Sequence, residues 1–304
     1  LGGCVVSKRL SIGFIGAGIL GKGLALGLAG AGYRVTAAAS RSYESAQELA
    51  SLVEGCRAEA EPQAVASSCD LVFITTPDDV ITEVAASLMW SPGQGVAHCS
   101  GAGTLDKLMP ATRQGARCGS IHPLQTFAGV TTGRQSIERM KGITFAIEAH
   151  GWLLETLEGM AKDLGGRSIR IKPEDRVLYH TSAVMACGYL AALVDSAAGL
   201  WERMGLTKSD GMRALEPIAR ATLENLVKLG TQKAVTGPIV RGDVETVRRH
   251  MEALSERAPG LSTLYLALAE ASLPLAEGRV GGAKAREVEA ALSEYMAKDG
   301  VKGD

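Results

Sequence analysis

The fold this 304-residue sequence predicts is an α/β amino-terminal half, built on a doubly wound parallel sheet, followed by an all-α carboxy-terminal half. Three observations carry that expectation. Over residues 10–171, short β-branched or apolar runs alternate with amphipathic stretches, as in a parallel sheet covered by helices. A glycine-rich turn, Gly16-Ala17-Gly18-Ile19-Leu20-Gly21, lies between the first strand and the first helix. Beyond Lys172 the strand-like alternation stops and long helical periodicities run on, so residues 1–172 and 173–304 read as two domains.

Taken in order, strands are expected over residues 11–16, 34–39, 70–75, 95–99, 116–121, 144–148 and 168–171, with helices over 19–31, 43–53, 79–88 and 150–164. The last two strands follow an irregular segment, 122–142, and read as an appended edge. In the second half, helices are expected over 174–204, 208–229, 243–257, 261–277 and 283–297. Thr236-Gly237-Pro238, Pro259-Gly260 and residues 278–282 punctuate them. Asp243 is placed as a helix N-cap, with Val244, Val247, Met251 and Leu254 as the apolar stripe behind it.

Composition excludes several classes of function. With 32 basic against 33 acidic residues and a formal charge of -1, no global field favours nucleic acid or an anionic membrane, and a small-molecule partner is expected. The six cysteines (Cys4, Cys56, Cys69, Cys99, Cys118, Cys187) form no CxxC pair or His/Cys cluster, so neither a metal site nor a disulfide framework is expected, and a reducing cytoplasm is. Leu1-Gly2-Gly3-Cys4 looks like a lipoprotein cleavage site, but no apolar region precedes it and lipidation is not expected. The nearly uncharged run 181–201 is long enough to span a bilayer; without a second such run or flanking charge asymmetry it reads as a buried helix of a soluble all-α domain.

The glycine turn gives the first domain its chemistry. Gly16 permits the tight turn, Gly18 lets the backbone approach a pyrophosphate, and Gly21 lets the helix pack on the strand, with Ala17, Ile19 and Leu20 completing a Rossmann-type dinucleotide site. NAD and FAD sites of this type usually carry an acidic residue at the end of the second strand; here Ser40-Arg41-Ser42 stands instead. A guanidinium flanked by hydroxyls suits a 2'-phosphate, so NADP(H) is the expected cofactor. Thr75, Thr76 and Pro77 after one strand, and Ser100 after another, lie at the carboxyl ends where open α/β sheets bind ligands. Of the Asp78-Asp79 pair, Asp79 is expected either at the ligand or as a cap on the next helix.

Candidates for proton transfer are few. His122 ends a strand on the ligand side and begins a polar loop with Gln125 and Thr126; it reads either as catalytic or as a backbone-bonded structural histidine. His180 lies on the first carboxy-terminal helix with Ser182 nearby, and regular spacing puts Val184, Cys187 and Gly188 on its face. A mid-helix glycine such as Gly188 suggests a close approach by a ligand or by another helix. Arg241, just before the Asp243 cap, is placed to clamp a substrate carboxylate or to form an intersubunit ion pair. His98 and His150 have no comparable context, and His250 reads as surface or interface.

On the glycine turn, Pro77-Asp78-Asp79, His122-Pro123-Leu124-Gln125-Thr126-Phe127, the helix 180–193 and residues 236–243, the chain resembles Rossmann-like proteins carrying a carboxy-terminal domain of unknown function. These look related to pyrroline-5-carboxylate reductases, deazaflavin-dependent NADP reductases and 6-phosphogluconate-dehydrogenase-like enzymes. Some members resemble an alternative ketopantoate reductase, and relatives commonly carry asparagine where this chain has Gly188. The resemblance implies an NADPH-dependent reductase of a small carboxylated 2-oxo acid, with ketopantoate as candidate. Arg241 would hold the carboxylate, Gln125 and Thr126 would orient the carbonyl, and His180 or His122 would protonate the product. The alternatives are an imine reductase like the pyrroline-5-carboxylate enzymes, or a non-catalytic NADP(H) sensor or scaffold. A homodimer through the carboxy-terminal helices is expected.

Overall fold

In a computed structural model that describes residues 9–298, the apolar runs assemble into one eight-stranded sheet of order β3-β2-β1-β4-β5-β6-β7-β8. Its strands are β1 (Ser11–Ile15), β2 (Arg34–Ala39), β3 (Arg57–Glu59), β4 (Leu71–Ile74), β5 (Gly95–His98), β6 (Arg117–Pro123), β7 (Thr144–Glu148) and β8 (Arg167–Arg170). All neighbours are parallel except β6 and β7, so β7 and β8 form the appended edge expected from sequence. Central β4 is buried at every position because helices cover both faces, which is why it reads as continuous apolar sequence rather than alternation.

One face of the sheet is packed by Leu24 and Leu28 of α1 (Ile19–Gly30) and by Leu153 and Leu157 of α7 (Gly151–Asp163). Val65 of α3 (Pro62–Ser68) and Ile81 and Ala85 of α4 (Ile81–Ala86) pack the other. The strand order reverses between β1 and β4, which opens a crevice at their carboxyl ends beside the glycine turn.

Several elements depart from the sequence expectations. Strand β3 was not expected; three residues, Arg-Ala-Glu at a sheet edge, carry too short a pattern to register. The segment taken as irregular contains α6 (Gly133–Met140), opened by a capping box in which Thr132 and Gln135 bond each other's backbone amides. Helices α3 and α5 (Met109–Arg113), each shorter than two full turns, were likewise unforeseen. The long helix expected over 174–204 is α8 (Arg176–Val184) and α9 (Leu190–Glu202) joined by a π-helical turn, Met185–Tyr189. That turn shifts the angular phase, so Cys187 and Gly188 do not continue the face of His180 as regular spacing implied.

The chain divides into compact units at Cys187/Gly188, later than the boundary expected at 172/173. One side chain holds the start of α8 to the sheet. Arg176, in the first turn of α8, is fully buried, and its guanidinium donates to the Gly103 carbonyl at 2.9 Å, the Ser100 carbonyl at 3.3 Å and the Ser120 hydroxyl. Glu148, itself buried on β7, lies 4.0 Å away. Helix α8 is therefore tied to the loop after β5, to β6 and to β7, and belongs with the sheet.

The second unit consists of α9, α10 (Lys208–Leu229), α11 (Thr231–Ala234), α12 (Pro238–Arg241), α13 (Val244–Arg257), α14 (Ser262–Val280) and α15 (Gly282–Lys298). Its core gathers Val247, Met251, Leu266, Ala269, Val288 and Leu292. Asp243 caps α13 through the Thr246 amide at 3.1 Å, as the sequence indicated. The run 181–201, expected to be buried, is instead exposed or half-buried at every residue but Ala198, and the helical segment Pro173–Glu202 that contains it has Leu178 at 72% and Tyr189 at 65% exposure. It is long and apolar enough to cross a membrane. Residues 1–4, considered for lipidation, lie outside the described residues.

Replacing Arg176 by alanine leaves the Glu148 carboxylate buried without a counter-charge and strips three oxygens of their donor. Chemical denaturation is expected to show a loss of about 3–5 kcal/mol, partly recovered by adding Glu148→Gln. A loss below about 1 kcal/mol would show that the cluster is not a stabilising anchor.

Candidate functional site

The turn after β1 is built for close backbone packing on one side and access on the other. Gly16 has φ 106°, a conformation that side chains strain, and a Cβ there would lie 2.7 Å from the Thr75 carbonyl carbon. A Cβ on Gly21 would meet the Thr75 hydroxyl at 2.7 Å. That hydroxyl donates to the Gly16 carbonyl at 2.6 Å, which ties the end of β4 to the turn. At Gly18, the N-cap of α1, nothing lies within 4 Å of a Cβ, so the backbone N–H groups of the helix start are approachable there. Ala17 is buried beneath the turn, while Ile19 and Leu20 open the helix. The Thr76 hydroxyl, next along from β4, is buried with no partner among the described residues. Open space at Gly18 and an unanswered hydroxyl at Thr76 fit a dinucleotide laid across this crevice.

Ser40, Arg41 and Ser42 follow β2 as expected. Arg41 is exposed and makes no hydrogen bond or ion pair among the described residues, leaving its guanidinium available. The Ser42 hydroxyl is engaged: it accepts from the Ser45 amide at 3.3 Å as the N-cap of α2 (Tyr43–Leu52), and donates to Glu44 at 2.7 Å. Its N-cap role puts the helix's positive end beside Arg41, a feature the sequence reading did not use.

After β5 the chain turns sharply over Ser100-Gly101-Ala102-Gly103. Ser100 donates to Asp78 through its hydroxyl, and that oxygen accepts from the Gly103 amide at 2.8 Å. Asp78, beyond Pro77, thus bridges the loops after β4 and β5, and Lys107 donates to its carbonyl at 2.7 Å. Behind them sits His98, fully buried, a residue for which sequence offered no context. Its Nδ1 accepts from the Ser100 amide at 3.1 Å and its Nε2–H donates to the Thr104 carbonyl at 3.2 Å. Burial, reinforced by the Arg176 charge, pushes its pKa down to about 4, so it is a neutral loop fastener.

His122 and His180 do come together. A Cβ built on Gly101 would lie 2.9 Å from His122 Nε2 and 2.8 Å from His180 Cδ2, so both imidazoles converge on this glycine. The other ring nitrogen of His122, Nδ1, lies 2.7 Å from the hydroxyl of Tyr179, a residue that the sequence reading passed over because helical position alone says nothing of contact with a strand end. Burial first, then the Arg176 and His180 charges, lower the His122 pKa to about 4, with Asp78 opposing. Burial lifts that of Tyr179 to about 12, with Arg176 opposing.

Other candidates are not brought to this cluster. The Ser182 hydroxyl donates to the Tyr179 carbonyl at 2.6 Å, turned onto its own helix and exposed. Gln125 accepts from the Thr126 amide at 2.8 Å and donates to the Arg139 carbonyl at 3.3 Å, and the Thr126 hydroxyl accepts from Ala128 at 3.3 Å; these polar groups shape the loop. Nothing among the described residues lies within 4 Å of a Cβ on Gly188. Arg241 belongs to the second unit, where its side chain is exposed and 4.0 Å from Asp243. No cluster of potential metal ligands occurs among the described residues.

Residues 2–123 match the model of a Rossmann-like domain and residues 143–272 that of a domain of unknown function, DUF2520. A comparison with curated proteins finds no match. Among solved structures, a Thermotoga maritima protein is similar at 25% identity and a TM-score of 0.69, over 88% of this chain and 98% of its own. A Bacteroides fragilis protein described as an NADP oxidoreductase is similar at 24% identity and 0.67, over 89% and 99%. An imine reductase from Pseudomonas shares the fold at 19% identity and 0.63, over 93% and 99%.

The depressed His98 pKa has a sign that can be checked. Above about pH 6.5 the imidazole is neutral in folded and unfolded chains alike; between there and about 4 the unfolded chain binds the extra proton, so stability falls as pH falls. Full protonation of the unfolded chain alone costs roughly 3 kcal/mol at such a site. Urea denaturation at pH 7 and about pH 4.5 is expected to show this loss, and a shallower one in His98→Gln; identical slopes for parent and variant would contradict it.

Proposed function

We propose that this protein is an NADPH-dependent oxidoreductase that reduces the C=O or C=N bond of a small substrate. One observation carries the reading: the glycine turn, the unanswered Thr76 hydroxyl and the His122–His180 cluster all lie at carboxyl ends of parallel strands of the same sheet, along one crevice. The approachable turn at Gly18 would receive the pyrophosphate and the free Arg41 guanidinium the 2'-phosphate, with Ser40 alongside. NADPH, when bound, supplies the hydride. Thr76, Pro77 and Ser100 would line its path, and His122 or His180 would supply the proton. The likeness in fold to an imine reductase supports C=N reduction, and to an NADP oxidoreductase the choice of cofactor.

For the substrate, a small carboxylated 2-oxo acid such as ketopantoate and a cyclic imine such as pyrroline-5-carboxylate are the two readings. Measuring NADPH oxidation against both decides between them, and turnover of neither, with tight NADPH binding retained, favours a sensor or scaffold. Arg41→Ala is expected to weaken NADPH binding about 10–100-fold while leaving NADH binding within about twofold. Equal loss for both cofactors, read by titration calorimetry, would place the 2'-phosphate elsewhere.

A second copy of this chain is proposed to cover the exposed apolar surface of Pro173–Glu202 and of α10, where Val227 is 88% exposed. The protein is expected to sediment as a dimer, and Leu178→Asp to shift it toward monomer. A monomeric parent, or one that floats with lipid vesicles, overturns this.

A further inference from the structure

The contact between Tyr179 and His122 assigns a direction to the proton. The rings meet edge to face, 84° apart with centroids at 5.7 Å, and the phenol oxygen stands 2.7 Å from Nδ1. One hydrogen lies between them. A phenol is a stronger donor than a neutral imidazole N–H, and an imidazole nitrogen a stronger acceptor than a phenol oxygen, so the O–H donates to Nδ1. The ring hydrogen of the neutral His122 must then sit on Nε2, the edge facing Gly101. Only glycine at position 101 leaves that edge clear, since a Cβ would stand 2.9 Å from Nε2.

We propose that Tyr179 fixes His122 as a neutral Nε2–H donor and resupplies it, so that a Tyr179–His122 relay, rather than a histidine cation, delivers the proton in the reduction. The inference rests on the reductase reading above. The steps balance. As the hydride pair arrives at the substrate carbon, the π pair moves to the oxygen or nitrogen, which takes the proton from Nε2. The N–H bonding pair stays on the ring, Nδ1 takes the phenol proton, and the phenolate regains one from water. The charged and titratable groups acting on the pair are Arg176 and His180 from α8, and Asp78 from the loop after β4. The Arg176 guanidinium disfavours an imidazolium and, on the phenol, opposes the larger effect of burial, which lifts the Tyr179 pKa to about 12. Tyr179 is only partly buried, which gives the phenolate access to water.

The pair makes a different prediction from a cationic acid. A relay of two neutral groups works at a constant rate from about pH 5.5 to about pH 9, whereas an imidazolium loses about tenfold per pH unit above its pKa. The test uses the full chain, Tyr179→Phe, and whichever of ketopantoate or pyrroline-5-carboxylate the parent reduces. Tyr179→Phe is expected to lower kcat about 100-fold with the NADPH Kd unchanged. Nitrogen-15 NMR of the ring is expected to show the Nε2–H form in the parent from about pH 6 to 9, and a mixture of tautomers in the variant. An unchanged kcat in the variant, a falling parent rate above about pH 6.5, or an Nδ1–H ring in the parent overturns the relay while leaving the reductase reading intact. A parent that oxidises NADPH with neither substrate overturns the reductase reading, and the relay with it.

Discussion

A guanidinium with no exposure to water is costly unless it is paired, and the partners that Arg176 finds through Nε and Nη2 organise the amino-terminal unit, its Nη1 having none among the described residues. Its donors reach the carbonyls of Ser100 and Gly103 and the hydroxyl of Ser120, with Glu148 supplying the counter-charge. Those partners come from the loop after β5, from β6 and from β7, so one side chain ties all three to the entry of α8. The positions of Gly101, His122 and Tyr179 follow from that bracing, since each lies within four residues of a group Arg176 holds or of Arg176 itself.

The same charge sets the protonation of the site. Two histidines are held neutral by burial, and in both the Arg176 charge adds to the effect. They differ in what their nitrogens do. His98 spends both on backbone groups of one loop and is structural. His122 spends one on Tyr179 and turns the other toward Gly101. A residue type alone does not separate these roles; the partner of each ring nitrogen does.

The second unit poses a different problem. Its core is gathered by α13, α14 and α15, while apolar side chains of α9 and α10, such as Leu193 and Val227, are exposed. Burying Val227 of this unit or Leu178 of the amino-terminal unit in another surface would stabilise by about 1.5–3 kcal/mol each, a drive toward association.

Local sequence determined the strands from β1 to β8 apart from β3, the glycine turn, the Asp243 cap and the long helices of the second unit, because each rests on a short-range pattern: apolar runs, 3.6-residue periodicity, or a side chain bonding a backbone three residues on. It also marked His122 and His180 as candidates, from their places at a strand end and on a helix. Tertiary structure alone decided that these two face one glycine, that Tyr179 holds His122, that His98 is locked away and that Arg176 ties α8 to the sheet. The Arg176–Ser120, His122–Tyr179 and Arg176–Ser100 bonds join residues 56, 57 and 76 positions apart. No periodicity spans such a separation; only the closing of the sheet brings the groups within hydrogen-bond reach, where burial sets their charge.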